Sequence, residues 1–461
     1  MNTTRLSRLF CIVMIILAIL FVVPAMAGQE TNKTGKIFVS TSGNDGNDGS
    51  SGLPVKTLGR AVELSSDGDI ISIAPGLYNT EGDRGIVIDK GITLAGAGPD
   101  MTIIDGMNKS QIFITKNFPP ITFDNLTLTG GSGRWGGAVD IEYGNVRFSH
   151  TVIRNSFAES GGGVAIEVGK AEFADSAITG NSATDDGGGV TVEGSSSANI
   201  TDSEVSGNSA KFGGGIYLGD GKSRVAVARS KILNNRASGS GGGMYVAVGN
   251  ASVSCSVMSG NNGGTAGGAA ALNYGNARIT SSKIVNNTAL YGGSGVMTYT
   301  TIGELVAVND IFYNTENVEG HKRSNMEEIG GGTFSINKTL ETSITGGSYA
   351  GGNAWGQPDG NGFSQKCSDA DQDGICDSSY QVVNTLFDNY PLVLGSSALS
   401  QALDSSLPCR EDIVPDSVTA RHLSISDQVL GSTGIVVPIP VFIPVCAVIF
   451  SLFLIRQKRT R

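Results

Sequence analysis

Basic residues are scarce between the two ends of this 461-residue chain. The whole chain holds 32 Lys and Arg against 42 Asp and Glu, which gives a formal net charge of −10. Residues 1–27 and 456–461 contain six basic residues and no acidic ones, so the part between them carries a charge near −16. An acidic surface excludes nucleic acids and anionic lipids as expected partners, but it says nothing about the fold.

Long apolar runs lie at the two ends, and the first has the organisation of a signal peptide, residues 1–27. Arg5 and Arg8 precede the apolar residues 9–23, and a small-x-small cleavage site closes the segment. The mature chain is therefore expected to begin near Gly28. An uncleaved signal anchor is the alternative interpretation.

The second apolar run, residues 435–455, predicts one transmembrane helix. Its 21 residues match the roughly 20 that cross a hydrocarbon core of about 30 Å. The basic tail, 456–461, favours the cytoplasmic side, and residues 396–434 lack periodicity and are expected to form a spacer. No LPxTG-type sequence precedes the run, which gives no sign of Gram-positive wall sorting. The expected protein is a single-pass protein of the cell membrane, with its main domain at the cell surface.

The middle of the chain repeats with a period of about 26 residues. Two of the units are GGGVAIEVGKAEFADSAITGNSATDD at 161–186 and GGGVTVEGSSSANITDSEVSGNSAKF at 187–212, and the core repeats span 133–320. A fixed period of this size indicates a solenoid. Each unit contains short alternating runs of β-branched residues between turn residues. No unit has room for a helix of about ten residues, which excludes ankyrin and tetratricopeptide arrays.

Stacked units bury their apolar faces when each strand pairs with the next coil, about 4.8 Å away. The fold predicted for residues 28–395 is therefore all-β, a parallel β-helix of about 12 to 14 coils. Residues 57–64 have helical apolar spacing and predict a short helix that caps the open N-terminal end. A disordered Gly/Asn-rich segment is the alternative, which the regular alternation of Val and Ile disfavours.

Asparagine recurs with the period of the repeat. Stacked coils would place these side chains above one another, where their amides can form a hydrogen-bonded ladder. The predicted ladder consists of Asn155, Asn181, Asn208, Asn235, Asn261 and Asn287.

Several segments resemble known families. The segment 36–78 and the run GIVIDKGITLAGAGPDMTIIDG at 85–106 resemble the first coils of the pectin-lyase-like superfamily, which implies a right-handed β-helix. The GNSA-containing units resemble polymorphic outer-membrane protein repeats. The tail 346–392, with its calcium-loop-like segment, resembles repeat-rich surface proteins of methanogenic archaea and NosD-type carbohydrate-binding and sugar-hydrolase repeats. The resemblance covers about residues 36–395 and implies a fold more than an activity.

The resemblance raises the alternative of a polysaccharide lyase or glycoside hydrolase. Hydrolases on this fold typically place carboxylates near a Gly-His-Gly, and none of the chain's three histidines has that context. The pair Asp185-Asp186 lies at a repeat junction and is interpreted as a solvated turn, and Glu167 and Glu193 as isolated acids. No acidic cluster is apparent beside Arg134, Arg224, Arg229 or Arg236.

No catalytic residue or organic cofactor is therefore assigned from the sequence. The leading prediction is an adhesion protein that presents a rigid face to extracellular polysaccharide or to other proteins of the cell envelope. A purely structural part of the envelope is a third possibility.

One segment predicts a metal site. Asp369, Asp371 and Asp373, the carbonyl of Ile375 and the carboxylate of Asp377 have the alternate spacing of a Ca²⁺ loop, with a glycine at its sixth position. The glutamate of an EF-hand is missing at position 12, so a short calcium loop of the extracellular type is expected. An acidic surface turn is the alternative.

Two cysteines flank this loop, and an oxidising exterior favours a disulfide between Cys367 and Cys376. Cys255 has no evident partner in the sequence. Sequons for N-glycosylation, which require export, occur at Asn32, Asn108, Asn125, Asn199, Asn250, Asn286 and Asn337.

Overall fold

The computed structural model describes residues 35–116, 119–299, 303–323, 326–328, 331–383, 385–403 and 409. The segments predicted as signal peptide, transmembrane helix and cytoplasmic tail, with most of the spacer, lie outside these ranges. No helix within the described ranges is long and apolar enough to cross a membrane.

The chain winds into a stack of coils in which each strand pairs in parallel with the strand one repeat later. Val164–Ile166, for example, pairs with Val190–Val192 in a register that sets Val164 beside Val190. The predicted all-β parallel solenoid is therefore confirmed. Each coil contributes strands to three faces, which follow one another along the chain.

Face 1 consists of Lys36–Val39, Ile70–Ile73, Thr93–Ala95, Ile121–Asp124, the second part of Val139–Ser149, Gly169–Ala174, Ser197–Thr201, Arg224–Ala228, Asn250–Ser254, Asn276–Thr280, Glu304–Val308 and Gly331–Thr333. Face 2 consists of Gly76–Tyr78, Thr102–Asp105, Thr127–Thr129, Val152–Arg154, Ala177–Thr179, Glu204–Ser206, Lys231–Leu233, Val257–Ser259, Lys283–Val285, Ile311–Tyr313 and Ala354–Gly356.

Face 3 consists of Ile86–Ile88, Phe113–Lys116, the first part of Val139–Ser149, Val164–Ile166, Val190–Val192, Ile216–Leu218, Met244–Val246, Ala270–Leu272, Val296–Thr298 and Val318–Arg323. A smaller face 4 lies between faces 2 and 3 along the chain and consists of Phe157–Ser160, Ser182–Asp186, Ser209–Phe212 and Arg236–Ser240.

The number of coils is lower than predicted. Within the described ranges face 2 has 11 strands, against the 12 to 14 coils expected. Much of the chain after residue 325 forms antiparallel pairs instead of coils. These pairs involve Met326–Glu328 with Val318–Arg323, Thr339–Leu340 with Tyr349–Ala350, and Tyr380–Val383 with Leu386–Asp388.

The core lies inside the stack, because alternate residues of each strand point inward. Phe123, Phe148 and Phe173 occupy one inward position on successive coils, and their rings stack with centroids 5.2 and 4.8 Å apart. Ile200 and Val227 continue the same row. Each repeat therefore buries its apolar residues against the equivalent residues of its neighbours.

The N-terminal cap forms where the sequence predicts it. The α-helix Leu58–Leu64 begins after Thr57, whose hydroxyl accepts the backbone N–H of Arg60, and it buries Leu58, Ala61 and Val62. It contacts Lys36–Val39, the first strand of face 1. A 3-10 turn at Glu81–Asp83 lies beside it, and the other helices are Phe363–Lys366 and Ser396–Leu403 near the C-terminal end.

The predicted asparagine ladder is present, with one error. The Asn181 amide donates to Asn208 Oδ1 at 3.1 Å, and the pattern repeats along Asn235, Asn261, Asn287 and Asn314. Asn155 is not part of it. Ser156 takes that position and donates its backbone N–H to Asn181 Oδ1, whereas Asn155 is exposed in the preceding turn with φ 52°.

A second ladder of hydroxyl groups runs beside the first. The backbone N–H of each member donates to the side-chain oxygen of the next, at about 3 Å. Its members are Thr151, Ser176, Ser203, Ser230, Ser256 and Ser282, followed by Asp310. In the sequence, this second ladder is indicated by the serine that recurs directly before the face 2 strands.

The described cysteines form two disulfides. One joins Cys367 to Cys376, the two cysteines that flank the acidic loop. The other joins Cys255 to Cys409, which is 154 residues away in the sequence. The prediction that Cys255 has no partner is therefore wrong. The sequence does not reveal this disulfide, because nothing in the spacing of a repeat indicates a contact with the segment that follows the stack.

Candidate functional site

A band of carboxylates and tyrosines lies on the outer side of face 3. The central residue of each short face 3 strand points away from the core, and the register places Asp140, Ala165, Thr191, Tyr217 and Tyr245 beside one another on successive coils. Two strand ends and face 4 supply further side chains. We call this set the acid–tyrosine strip; it comprises Asp140, Glu142, Glu167, Asp186, Glu193, Phe212, Tyr217 and Tyr245.

Face 4 partly covers the strip. Thr191 Oγ1 donates to the backbone carbonyl of Asp186 at 2.9 Å, which holds the end of a face 4 strand over face 3. Asp186 lies in register with Phe212 on the next coil. The side chains of the strip are consequently half-buried, although they point away from the core.

Asp140 is the most buried acid of the strip, with 5% of its surface exposed. Gln111 Nε2 donates to its Oδ2 at 3.1 Å, and its Oδ1 has no hydrogen-bond partner among the described residues. Burial raises the pKa of Asp140 to about 8, and the nearby charges of Glu167 and Glu142 raise it further against the opposing effect of Lys116. At neutral pH Asp140 is therefore mostly protonated.

Two more acids extend this coupling along the strip. Burial raises the pKa of Asp186 to about 6, and Glu193 and Asp185 add to the effect. Burial also raises the pKa of Glu193, with further contributions from Glu167 and Asp220. Repulsion between neighbouring carboxylates thus adds to the cost of burying each one.

These observations correct two interpretations made from the sequence. Glu167 and Glu193 are not isolated, because the parallel register brings them close enough for Glu167 to add to the effect of burial in raising the pKa of Glu193. Asp185 is exposed, as a solvated turn requires, but Asp186 is half-buried and belongs to the strip. Carboxylates 26 residues apart become neighbours only once the coil register is known.

The tyrosines continue the strip beyond the acids. The rings of Tyr217 and Tyr245 stack with their planes 2° apart and their centroids at 5.8 Å, and Phe212 packs on Tyr245 at 5.1 Å. Tyr299 lies further along and shares a 2.6 Å hydrogen bond with Ser240. The strip thus combines flat aromatic surface with adjacent carboxylates, the two groups that bind sugar rings and their hydroxyls.

The raised pKa of Asp140 predicts a pH-dependent stability. An aspartate in an unfolded chain has a pKa near 3.9. The stabilisation of the folded state by neutral Asp140 is therefore complete below pH 4 and is lost as the pH rises through about 8. We expect Asp140→Asn to remove about 4 kcal/mol of the wild-type decline in unfolding free energy between pH 5 and 9, because the decline continues until the pH reaches the folded pKa of about 8. Urea unfolding across this range measures it, and parallel curves for the two proteins would contradict it.

A second candidate site is an open cleft of about 660 Å³ at the turns that lead into face 2. Arg229 forms two hydrogen bonds with Asp202, at 2.8 and 2.7 Å, and His150 Nδ1 lies 3.4 Å from Asp124 Oδ1. Arg229 thus pairs with a single acid, whereas the prediction concerned an acidic cluster. We call this region the mixed-charge cleft.

Arg134 also forms an ion pair between adjacent coils. Arg134 pairs with Glu159 at 3.0 Å, one coil later in the sequence. Arg134 thus also has an acidic partner that spacing did not reveal. The pair is exposed on both sides, so it contributes little to stability.

The predicted calcium loop brings three of its acids together. Ligand oxygens of Asp369, Asp371 and Asp373 lie within 4.8 Å of one another. The ammonium group of Lys338 pairs with Asp373 and lies over the ring of Tyr349, 4.5 Å from its centroid. Lys338 therefore supplies a positive charge to the cluster from within the chain.

The other two predicted ligands have different surroundings. The carboxylate of Asp377 accepts hydrogen bonds from Ser368 Oγ at 2.7 Å and from the backbone N–H of Ala370 at 3.1 Å. Ile375 is buried and bridges to Leu392. The structure groups Asp369, Asp371 and Asp373 and places Asp377 beside the start of the loop.

The described sequons are accessible. Asn108, Asn286 and Asn337 are exposed, and Asn125, Asn199 and Asn250 are half-buried. They are distinct from the buried ladder asparagines, so glycosylation at these sites would not break the ladder. Asn32 lies outside the described residues.

Two polysaccharide lyases of known structure are weakly similar to this chain. Pectate lyase Pel9A is 16% identical, with a TM-score of 0.43, over 65% of this chain and 80% of its own. A rhamnogalacturonan lyase is 12% identical, with a TM-score of 0.25, over 64% and 78% respectively. Similarities this weak indicate nothing about the activity of this chain. No curated protein matches significantly.

The family comparison is more extensive. The model described as periplasmic copper-binding protein (NosD) matches residues 78–360, more than half of the chain. The predicted pectin-lyase-like, right-handed parallel β-helix is confirmed, while the archaeal origin stays a prediction. Because this match covers more than half of the chain, the chain belongs to the NosD family.

Proposed function

We propose that this chain is a surface protein outside the cytoplasm that binds glycans along the acid–tyrosine strip. The observation that carries the proposal is the stacked pair Tyr217 and Tyr245, which continues directly into a row of coupled carboxylates. Aromatic rings pack against the apolar face of a pyranose, and carboxylates accept hydrogen bonds from its hydroxyls. Export and anchoring in the membrane are part of the proposal and rest on the sequences of residues 1–27 and 435–455.

The test is a titration of the full-length protein with a panel of oligosaccharides in a calorimeter. We expect Tyr217→Ala to weaken binding by at least about tenfold, because it removes one half of the stacked pair. Tyr217→Phe keeps the ring and is expected to retain binding. Equal affinity of wild type and Tyr217→Ala for every ligand that binds would place the binding site elsewhere.

Polysaccharide cleavage is the second candidate function. Its supporting observation is the raised pKa of Asp140, about 8, beside Glu167, since a protonated acid next to a second carboxylate suits proton transfer. Glycosidases hold their two carboxyl groups about 5 to 9.5 Å apart, and this role would require the same separation between Asp140 and Glu167. New reducing ends or unsaturated ends released by wild type, and absent with Asp140→Asn, would establish cleavage.

The family description names copper, and the described residues do not fit a copper site. Copper sites in proteins use imidazole, thiolate and thioether ligands. All four described cysteines are in disulfides, and His150 lies beside Ser149 and Asp124. Within the described ranges, the grouping of His, Cys, Asp and Glu side chains that could hold an ion is the three-aspartate cluster, which offers only oxygen. We therefore propose no copper chemistry for these residues.

We propose instead that Asp369, Asp371 and Asp373 bind Ca²⁺, a hard cation that prefers carboxylate oxygens. Binding to the folded form alone would stabilise the chain by about 2.7 kcal/mol at a hundredfold excess over Kd. Thermal unfolding with Ca²⁺ and with a chelator measures this effect. Asp371→Asn should abolish the response, and Asp359→Asn, an acid outside the cluster, should keep it.

Lys338 offers an alternative to a metal ion as the positive charge that balances these acids. Because its ammonium already neutralises Asp373, the cluster can be stable without a metal. Identical melting temperatures of the wild type with and without Ca²⁺, together with no heat of binding, would mean that Lys338 alone balances these acids.

A further inference from the structure

We propose that the glycan bound by the acid–tyrosine strip carries free amino groups, as in a polymer of glucosamine. The inference rests on the proposed function and names the chemical class of its ligand. It follows from the charge of the strip, from an unsatisfied oxygen within it and from the adjoining tyrosine rings.

Negative charge predominates along the strip. Beyond the effect of burial, the charges of Glu167 and Glu142 raise the pKa of Asp140, and those of Glu167 and Asp220 raise the pKa of Glu193. A polyuronate would bring further carboxylates to this surface and would be repelled, because unlike charges are required for favourable pairing. A glycan with ammonium groups would reverse that repulsion.

The nearby cations do not neutralise the whole strip. Lys116 forms an ion pair with Glu142 at 3.4 Å. Lys211 lies near Asp186 but extends over the ring of Phe212, 5.3 Å from its centroid. Lys116 partly offsets the effect of burial and of the Glu167 and Glu142 charges on Asp140, but the pKa of that carboxyl stays raised, at about 8.

Asp140 contains an unsatisfied acceptor. Only 5% of its surface is exposed, and its Oδ1 lacks a hydrogen-bond partner in the described part of the chain. An ammonium group has three N–H donors and no acceptor. Placed beside Asp140, it would satisfy Oδ1 and offset the charges of Glu167 and Glu142.

A bound metal ion is a poorer explanation of the same acids. Three carboxylates that hold an ion must aim at one point. Among the described residues, such convergence is seen at the three-aspartate cluster and not in the strip. The acids of the strip are instead spread over successive coils, which suits a long ligand with repeated charges.

The tyrosines favour a sugar polymer over a basic peptide. Tyr217 and Tyr245 repeat at the spacing of the coils with parallel planes, so they form one flat surface. A pyranose ring can stack on this surface while its amino group reaches the carboxylates of the preceding coils. A lysine-rich peptide would satisfy the charge but has no flat apolar face, so it serves as the competing ligand in the test.

The test compares four ligands by calorimetry on the full-length protein: a glucosamine hexamer, its fully N-acetylated form, an oligogalacturonate and an oligolysine. We expect the glucosamine hexamer to bind at least about tenfold more tightly than each of the others, since a charge-assisted pair exceeds a neutral contact by that much. Equal binding of the N-acetylated form, lost with Tyr217→Ala, would overturn the amino-glycan inference and leave glycan binding intact. Preference for oligolysine would also overturn it, and absence of any glycan binding would overturn both proposals.

Substitutions identify the carboxylate that is responsible for binding the charged glycan. Glu167→Gln should weaken the glucosamine hexamer about tenfold and leave the N-acetylated form unchanged. Asp202→Asn, in the mixed-charge cleft, should change neither. Raising the salt concentration on the wild-type protein gives the same information without a substitution, because screening should weaken only the charged ligand. A salt-independent affinity for the glucosamine hexamer would contradict the inference.

Discussion

Replacing Asn208 with Ala is expected to lower the free energy of unfolding by about 4 kcal/mol, because several buried groups lose their partners at once. Asn208 is fully buried. Its Oδ1 accepts from the backbone N–H and the amide of Asn181, and its Nδ2 donates to Ile178 and to Asn235 Oδ1, all at 2.9 to 3.1 Å. Each unsatisfied buried group costs about 1 to 3 kcal/mol, and only part of this can be recovered by relaxation.

The control is Asn199→Ala on the same coil. Asn199 is half-buried on the outer side of face 1 and is not a ladder position, so its loss should change the unfolding free energy by less than about 0.5 kcal/mol. Urea or thermal unfolding of both variants against the wild type measures the difference. Equal losses in the two variants would mean that the ladder contributes no more than an ordinary surface contact.

Replacing Gly188 with Ala is expected to be strongly destabilising. A Cβ at this position would lie 2.3 Å from the carbonyl oxygen of Gly214 and 2.5 Å from that of Ser209. Both atoms belong to the backbone of the next coil, which cannot move away without breaking parallel pairing along the stack. We expect a loss of more than about 4 kcal/mol, or a protein that does not fold to a soluble form.

Gly52→Ala is the matched control. Nothing lies within 4 Å of a Cβ at Gly52, so the same substitution should leave solubility and melting temperature nearly unchanged. Expression yield, circular dichroism and thermal unfolding compare the two variants. A Gly188→Ala protein that melts at the wild-type temperature would show that the close approach of the coils at the glycine runs can be relieved.

The repeat architecture was readable from the sequence because each coil contributes the same residue types at the same positions. Glycine runs, β-branched pairs and buried asparagines recur with one period, so a single unit predicts its neighbours. The spacing of the asparagines predicts Asn155 as a ladder member, because it fits the period of the repeat to within one residue. The structure places Ser156 there and Asn155 in the left-handed turn that Gly180 occupies one coil later, and a period of 25 to 28 residues cannot distinguish adjacent positions.

The candidate site was less accessible to sequence analysis. Glu167 and Glu193 follow face 3 strands at equivalent positions, a signal that was visible, but their coupling depends on parallel register and on the cover supplied by face 4. Asp140 could not be recognised as a buried acid, since its neighbours in the sequence are compatible with an exposed turn. The disulfide between Cys255 and Cys409 likewise depends on how a non-repeating segment packs against the stack.

The measurement that tests the central claim most directly is carboxylate footprinting of the full-length protein with and without a bound glycan. The account predicts that the glycan reduces chemical labelling of Glu167, Asp186 and Glu193, three acids of the acid–tyrosine strip. Asp175, an exposed acid of the mixed-charge cleft, should be labelled equally in both samples. Protection of Asp175 with unchanged labelling of the three strip acids would contradict the account and move the binding site to the cleft.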